Sequence, residues 1–135
     1  MRITLAGTLA LVATLILAGT ALAAKPSSTV SLIVLSSGEV ARLATAGPTY
    51  GGEITFEVST TQTDRPFVNV RCYQGTDWVY DGWHGFFQSY VPDPVYILSS
   101  DYWTEGGASC VADLVTWGNN GKLKTLAKTS FSVTG

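Results

Sequence analysis

The chain is predicted to be all-β: a single antiparallel β-sandwich of about seven strands with one disulfide, following an N-terminal signal peptide. Three observations carry that expectation. Beyond the first 24 residues no segment keeps a 3.6-residue apolar period, whereas several short runs alternate apolar and polar residues with the period of two that a half-buried strand requires. Clusters of Gly, Asn and Pro punctuate these runs. The only two cysteines, Cys72 and Cys110, each fall on the apolar side of an alternating run.

Residues 1–24 read as a secretory signal peptide. Met1-Arg2 is a minimal basic start, Ile3 to Leu17 is an apolar run, and Ala21-Leu22-Ala23 is a small-x-small cleavage site. An uncleaved anchor is the alternative, because the apolar stretch from Ile3 to Ala24 is just long enough to span a bilayer. Residues 25–135 form the domain, about 111 residues, enough for one core and not for two. Without Arg2, seven bases face ten acids, a net charge of about −3. That balance speaks against nucleic acid and against an anionic membrane surface, both of which call for a basic patch. The mature chain is expected to be secreted, extracellular and free of the membrane after cleavage. Two cysteines in such a compartment are expected to pair, and closing that loop stabilises the fold by about 4 kcal/mol on the chain-entropy view. Two buried free thiols are the alternative.

The first strand is expected over Thr29 to Leu35, which is β-branched and apolar, with Ser36-Ser37-Gly38 ending it. Glu39 to Ala44 is a short edge segment and Gly47 to Gly52 a turn. Glu53 to Ser59 places Ile54, Phe56 and Val58 on one face. Phe67 to Tyr73 does the same with Val68, Val70 and Cys72, leaving Asn69 and Arg71 on the wet side. Gln74 to Asp77 is a hairpin turn into a strand starting at Trp78, on which alternation puts Trp78 and Tyr80 on one face. The glycines at 82 and 85 suggest a bulged or twisted edge there, and Pro92 and Pro94 exclude a central strand just after it. Val95 to Ser99 is short and apolar, and Ala108 to Val115 turns Ala108, Cys110, Ala112 and Leu114 inward. Asn119-Asn120-Gly121 signals a hairpin of type I′. The last strand carries Ala127, Thr129, Phe131 and Val133 on one face, with a bulge near Leu126.

Seven short strands, the run GlyGlyGluIleThrPheGluVal (51–58), GlyGlyAlaSerCys (106–110) and the final hairpin together resemble the immunoglobulin-like or fibronectin-like β-sandwiches of exported bacterial proteins. The resemblance covers residues 29–135 and implies a fold, not an activity. Two departures matter. Antibody-type domains carry a tyrosine two residues before the second cysteine, and here that position is Ala108. Strand counting also puts Cys72 on strand C, giving a bridge between neighbouring strands C and F. The alternative puts Cys72 on strand B and Trp83 on strand C.

No enzyme is expected and no cofactor or metal. His84 is the single histidine, no Gly-x-Ser-x-Gly elbow exists, and the loop acids lack calcium-loop spacing. Carboxylate pairs such as Asp77 with Asp81, or Asp93 with Asp101, read most simply as solvated loop residues. The informative interval is Cys72 to Gly121, which has six acids and no Lys or Arg. Eleven of the fifteen aromatics lie between Tyr73 and Trp117. One reading is that Trp78 or Trp83 fills the core while the others cover a sheet edge. The functional reading is a binding surface drawn from Trp78, Tyr80, Trp83, Tyr90, Tyr102 and Trp103, with Asp81, Asp93 and Asp101 beside it. Rings beside carboxylates suit a protein partner, where Tyr and Trp anchor contacts, or a polysaccharide, whose C–H faces pack on aromatics. The expected function is thus a secreted non-catalytic module acting by protein interaction or adhesion. A carbohydrate-binding module and a purely structural envelope component are the alternatives.

Overall fold

The computed structural model describes residues 25–36, 39–40, 47–90 and 94–135. The signal-peptide reading of residues 1–24, the turn at 37–38, most of the edge segment 39–44, Pro92 and Asp93 therefore lie outside the described residues. Those described contain strands and turns and no helix. The strands are β1 (Ser28–Ser36), β2 (Glu39–Val40), β3 (Glu53–Thr60), β4 (Phe67–Gln74), β5 (Asp77–Gly85), β6 (Tyr96–Ile97), β7 (Ala108–Trp117) and β8 (Leu123–Val133). Two are only two residues long, so six full strands and two short ones stand where about seven were expected. They form two antiparallel sheets, ordered β2-β1-β3-β6 and β5-β4-β7-β8.

Alternation explains the core. Val30, Ile54 and Phe56 from the first sheet meet Val68, Val70, Cys72, Cys110, Ala112 and Leu114 from the second in one buried apolar cluster. Each of these side chains sits on the side its strand parity assigned it, because a one-residue slip would turn the whole set to solvent. Cys72 and Cys110 face each other directly across the β4–β7 ladder, with their Cα atoms 4.1 Å apart, and are bonded. No free thiol exists. The bridge joins neighbouring strands of one sheet, so residues 53–60 form a strand of their own ahead of the cysteine strand. The arrangement with Cys72 one strand earlier, bridging the two sheets, does not occur.

The sheets are tied across the core by a different residue. Tyr96 on β6 of the first sheet is wholly buried, and its hydroxyl donates to the Val68 carbonyl on β4 of the second at 2.8 Å. Its ring meets Phe56 edge-on at 5.5 Å and His84 edge-on at 4.6 Å, and lies nearly parallel to Phe86. Gly82 leaves the room this needs: a Cβ there would stand 2.7 Å from the Tyr80 hydroxyl and 3.0 Å from the Tyr96 ring.

Two register shifts depart from plain alternation. At β7–β8, Leu114 pairs with Ala127 but Val115 with Thr125, so Leu126 is the extra residue, as expected. At β4–β5, Cys72 pairs with Tyr80 but Tyr73 with Trp78, so Val79 is extra and is buried. This bulge corrects the expectation that Trp78 and Tyr80 share a face: Tyr80 packs against the core while Trp78 is exposed. The final hairpin is where Asn-Gly placed it, with a different turn. The Gly121 amide donates to the Gly118 carbonyl, so Asn119 and Asn120 are the central pair, and Gly121 follows with φ 73°. A three-residue loop closed by a left-handed glycine results, and the Asn120 side chain stabilises it by accepting from the Lys122 amide at 3.0 Å.

Replacing both cysteines (Cys72→Ala with Cys110→Ala) is expected to lower unfolding free energy by up to about 4 kcal/mol while the sheets persist, read from denaturant titrations beside the oxidised protein. Tyr96→Phe should cost about 1–2 kcal/mol by leaving the Val68 carbonyl without its partner. Burial, then the neighbouring Tyr80, raises the Tyr96 pKa above its ordinary 10.0. The unfolded chain therefore releases this proton first. The stability it represents is complete below pH 10 and is lost as pH rises beyond that, a slope that Tyr96→Phe should reduce in alkaline titrations.

Candidate functional site

The exposed aromatics divide between two places, and the division follows from strand parity and the β5 bulge. The first place is the open edge of the sandwich, where β5 borders residues 99–102. An open groove of about 470 Å³ lies there, lined by Trp78, Tyr80, Asp81, Ser99, Ser100 and Tyr102. Trp78 is 57% exposed, and its indole N–H is already satisfied by the Tyr80 carbonyl at 2.9 Å, so what it presents is chiefly ring carbon. Tyr102 is 80% exposed, at the tip of a short turn held on both sides. On one side the Ser100 hydroxyl donates to the Val79 carbonyl on β5 and accepts from the Tyr102 amide. On the other, Trp103 is buried against Tyr50, with its indole N–H donating to the Gly106 carbonyl. Gln74 secures the segment after Trp103, bonding the Thr104 amide and hydroxyl and the Thr104 and Gly107 carbonyls.

Asp81 is oriented by Asn69, whose amide donates to Asp81 Oδ1 at 2.5 Å and to the Gly82 carbonyl at 3.3 Å. Tyr80, half-buried beside it, has its hydroxyl pKa raised by burial first and by the Asp81 charge second, so at neutral pH it is a neutral donor and acceptor.

The second place is the outer face of the second sheet. Trp83 and Trp117 are 40% and 56% exposed, nearly parallel at 13°, with centroids 6.4 Å apart. Exposed Leu123 pairs with Trp117 across the β7–β8 ladder. Val115, on the same side of its strand as Trp117, is nonetheless buried. A satellite of Phe67, Phe87 and Tyr90 packs beside β4 at 5.4–5.6 Å. Further along this face, Arg71 bonds Asp113 at 2.5 Å and Lys128 stands 3.5 Å from the other Asp113 oxygen. Asn69 and Asp113 are buried, so the strand side expected to be wet is partly covered.

The expected single surface therefore resolves into parts. Trp78, Tyr80, Asp81 and Tyr102 come together at the groove, with Asp101 exposed next to Tyr102. Trp83 and Tyr90 lie elsewhere, each in its own ring cluster. Trp103, expected on the binding surface, is 7% exposed and belongs to the core, the role that one reading gave to Trp78 or Trp83. Ser99, Ser100, Trp117, Leu123 and Asn69 were not singled out from sequence. His84 packs on Tyr96, and among the described residues no group of three or more His, Cys, Asp or Glu is placed to hold a metal ion. Searches with family models, among curated proteins and among solved structures find no match for this chain.

Arg71→Ala is expected to destabilise the fold by about 1–3 kcal/mol, since it strips the charged partner from buried Asp113, and Arg71→Lys by less. Thermal melts of the two variants beside the parent protein check this order.

Proposed function

We infer that this chain is an exported, non-catalytic module with an immunoglobulin-like or fibronectin-like β-sandwich that acts by protein contact or adhesion at or outside the cell surface. The strand orders support that architecture: β5-β4-β7-β8 corresponds to a C′-C-F-G sheet and β1-β3-β6 to A-B-E. The disulfide supports an oxidising compartment, and among the described residues no helix is long and apolar enough to cross a membrane. The observation that carries the functional reading is the exposed, stacked Trp83–Trp117 pair with Leu123 on the outer sheet face. Large rigid rings left in water on a flat sheet are the residue types that anchor protein interfaces, and Lys128 beside Asp113 supplies a polar rim.

A photo-crosslinking residue in place of Leu123, on the rim of the pair, tests this on the surface of the producing cells and in their medium. A discrete adduct with one protein is expected, weakened about tenfold or more by Trp83→Ala or Trp117→Ala. A protein that stays monomeric in sedimentation and forms no adduct would instead be a purely structural envelope component.

A further inference from the structure

We propose that the groove between β5 and the Ser99–Tyr102 turn is a binding site for neutral pyranose units of a polysaccharide. It is centred on other rings than the Trp83–Trp117 pair, although Asp81 and Trp83 share one face of β5, and it stands or falls independently of the protein contact made there. The chemistry of the lining carries the assignment. Trp78 and Tyr102 contribute exposed rings to the lining, and a sugar ring presents a face of C–H bonds that packs on such a surface. The same lining carries groups that match sugar hydroxyls in both senses. Asp81 accepts, Ser99 and Tyr80 both donate and accept, and Ser100, whose proton goes to the Val79 carbonyl, can only accept.

Charge decides which sugars. The described lining has a carboxylate and no Lys or Arg, Asp101 adds another acid at the turn, and no Lys or Arg occurs from Cys72 to Gly121. A uronate or a sulfated sugar would meet the like charge of Asp81, and the nearest cation across the ladder, Arg71, is already taken by Asp113, so the ligand is neutral. Size points the same way. At about 470 Å³ the groove falls within the roughly 300–1,000 Å³ of small-molecule sites. A lone quaternary ammonium, the other ligand of rings and carboxylates, would leave most of that space filled with water.

The groove is also held ready. Asn69 fixes Asp81, the Trp78 indole is tied to its own strand, and Ser100 and buried Trp103 pin the turn on both sides of Tyr102. Little ordering is left for binding to impose, and such preorganisation raises affinity for a weakly held, heavily hydrated ligand.

Affinity electrophoresis of the oxidised protein through gels containing hydroxyethylcellulose, xylan, mannan or soluble starch, with alginate as the anionic counterpart, tests the proposal. At least one neutral polymer should retard the protein, and alginate should not. Trp78→Ala and Tyr102→Ala should each weaken retardation about tenfold or more, and Asp81→Asn several-fold. Both rings are exposed, so the variants should melt with the parent, and Trp117→Ala, on β7 away from the lining, should be retarded like it. The proposal is overturned if no neutral polymer retards the folded protein. It is equally overturned if the Trp78→Ala/Tyr102→Ala double variant is still retarded, or if alginate or choline binds in preference. Such a failure beside an intact crosslink at Leu123 removes the saccharide site and leaves the protein contact standing.

Discussion

Two sheets stacked face to face share no ladder, and apart from the backbone bridge between Thr49 and Thr134 at one end, their alignment here comes from side chains. Here Tyr96 has that task. A phenol carries a polar atom into a largely apolar core, and burying it unpaired would cost a few kcal/mol. The hydroxyl escapes that cost by reaching the Val68 carbonyl on the opposite sheet. Its ring sets the positions of Phe56, His84 and Phe86, and Gly82 is the concession β5 makes to it. The edge where β5 borders residues 96–102 takes its shape from this contact, and so does the groove that opens there.

Much of the fold was legible because it depends on local rules. Alternation in residues 53–59, 67–73 and 108–115 put the right side chains inside, since inward parity is a property of a strand before it finds its partner. The bulge at Leu126 was legible for the same reason: Leu126 breaks the parity that Ala127, Thr129, Phe131 and Val133 keep. The bulge at Val79 was not. Nothing in Asp77-Trp78-Val79-Tyr80 distinguishes a strand that keeps its phase from one that slips, and the slip is imposed by the pairing with β4. The Asn119-Asn120-Gly121 turn failed more mildly, because one dipeptide suits two loop lengths and the flanking register chooses between them.

The site was harder to read, and its misreadings have physical causes. Trp103 and Tyr102 are adjacent and chemically alike, yet one is core and the other exposed; they sit in a turn, where no periodicity assigns a side. Ser99 and Ser100 gave no signal, because a serine matters here only through the β5 edge that folding brings to it. Trp117 was within reach. Its parity opposes that of Cys110 and Leu114, which marks it as outward-facing, and an outward Trp on a central strand is unusual enough to notice.

The position of the disulfide also bears on mechanics. A load applied to the two ends of the domain passes along the chain to Cys72, crosses the bridge to Cys110 and leaves through β8. The segment between the cysteines hangs off that route as a closed side loop. Even with every hydrogen bond torn, the bridge withholds about 130 Å of contour length. The strand and turn that carry Trp78, Asp81 and Tyr102 lie inside this loop, so tension on a tethered domain is not transmitted through the groove's own backbone.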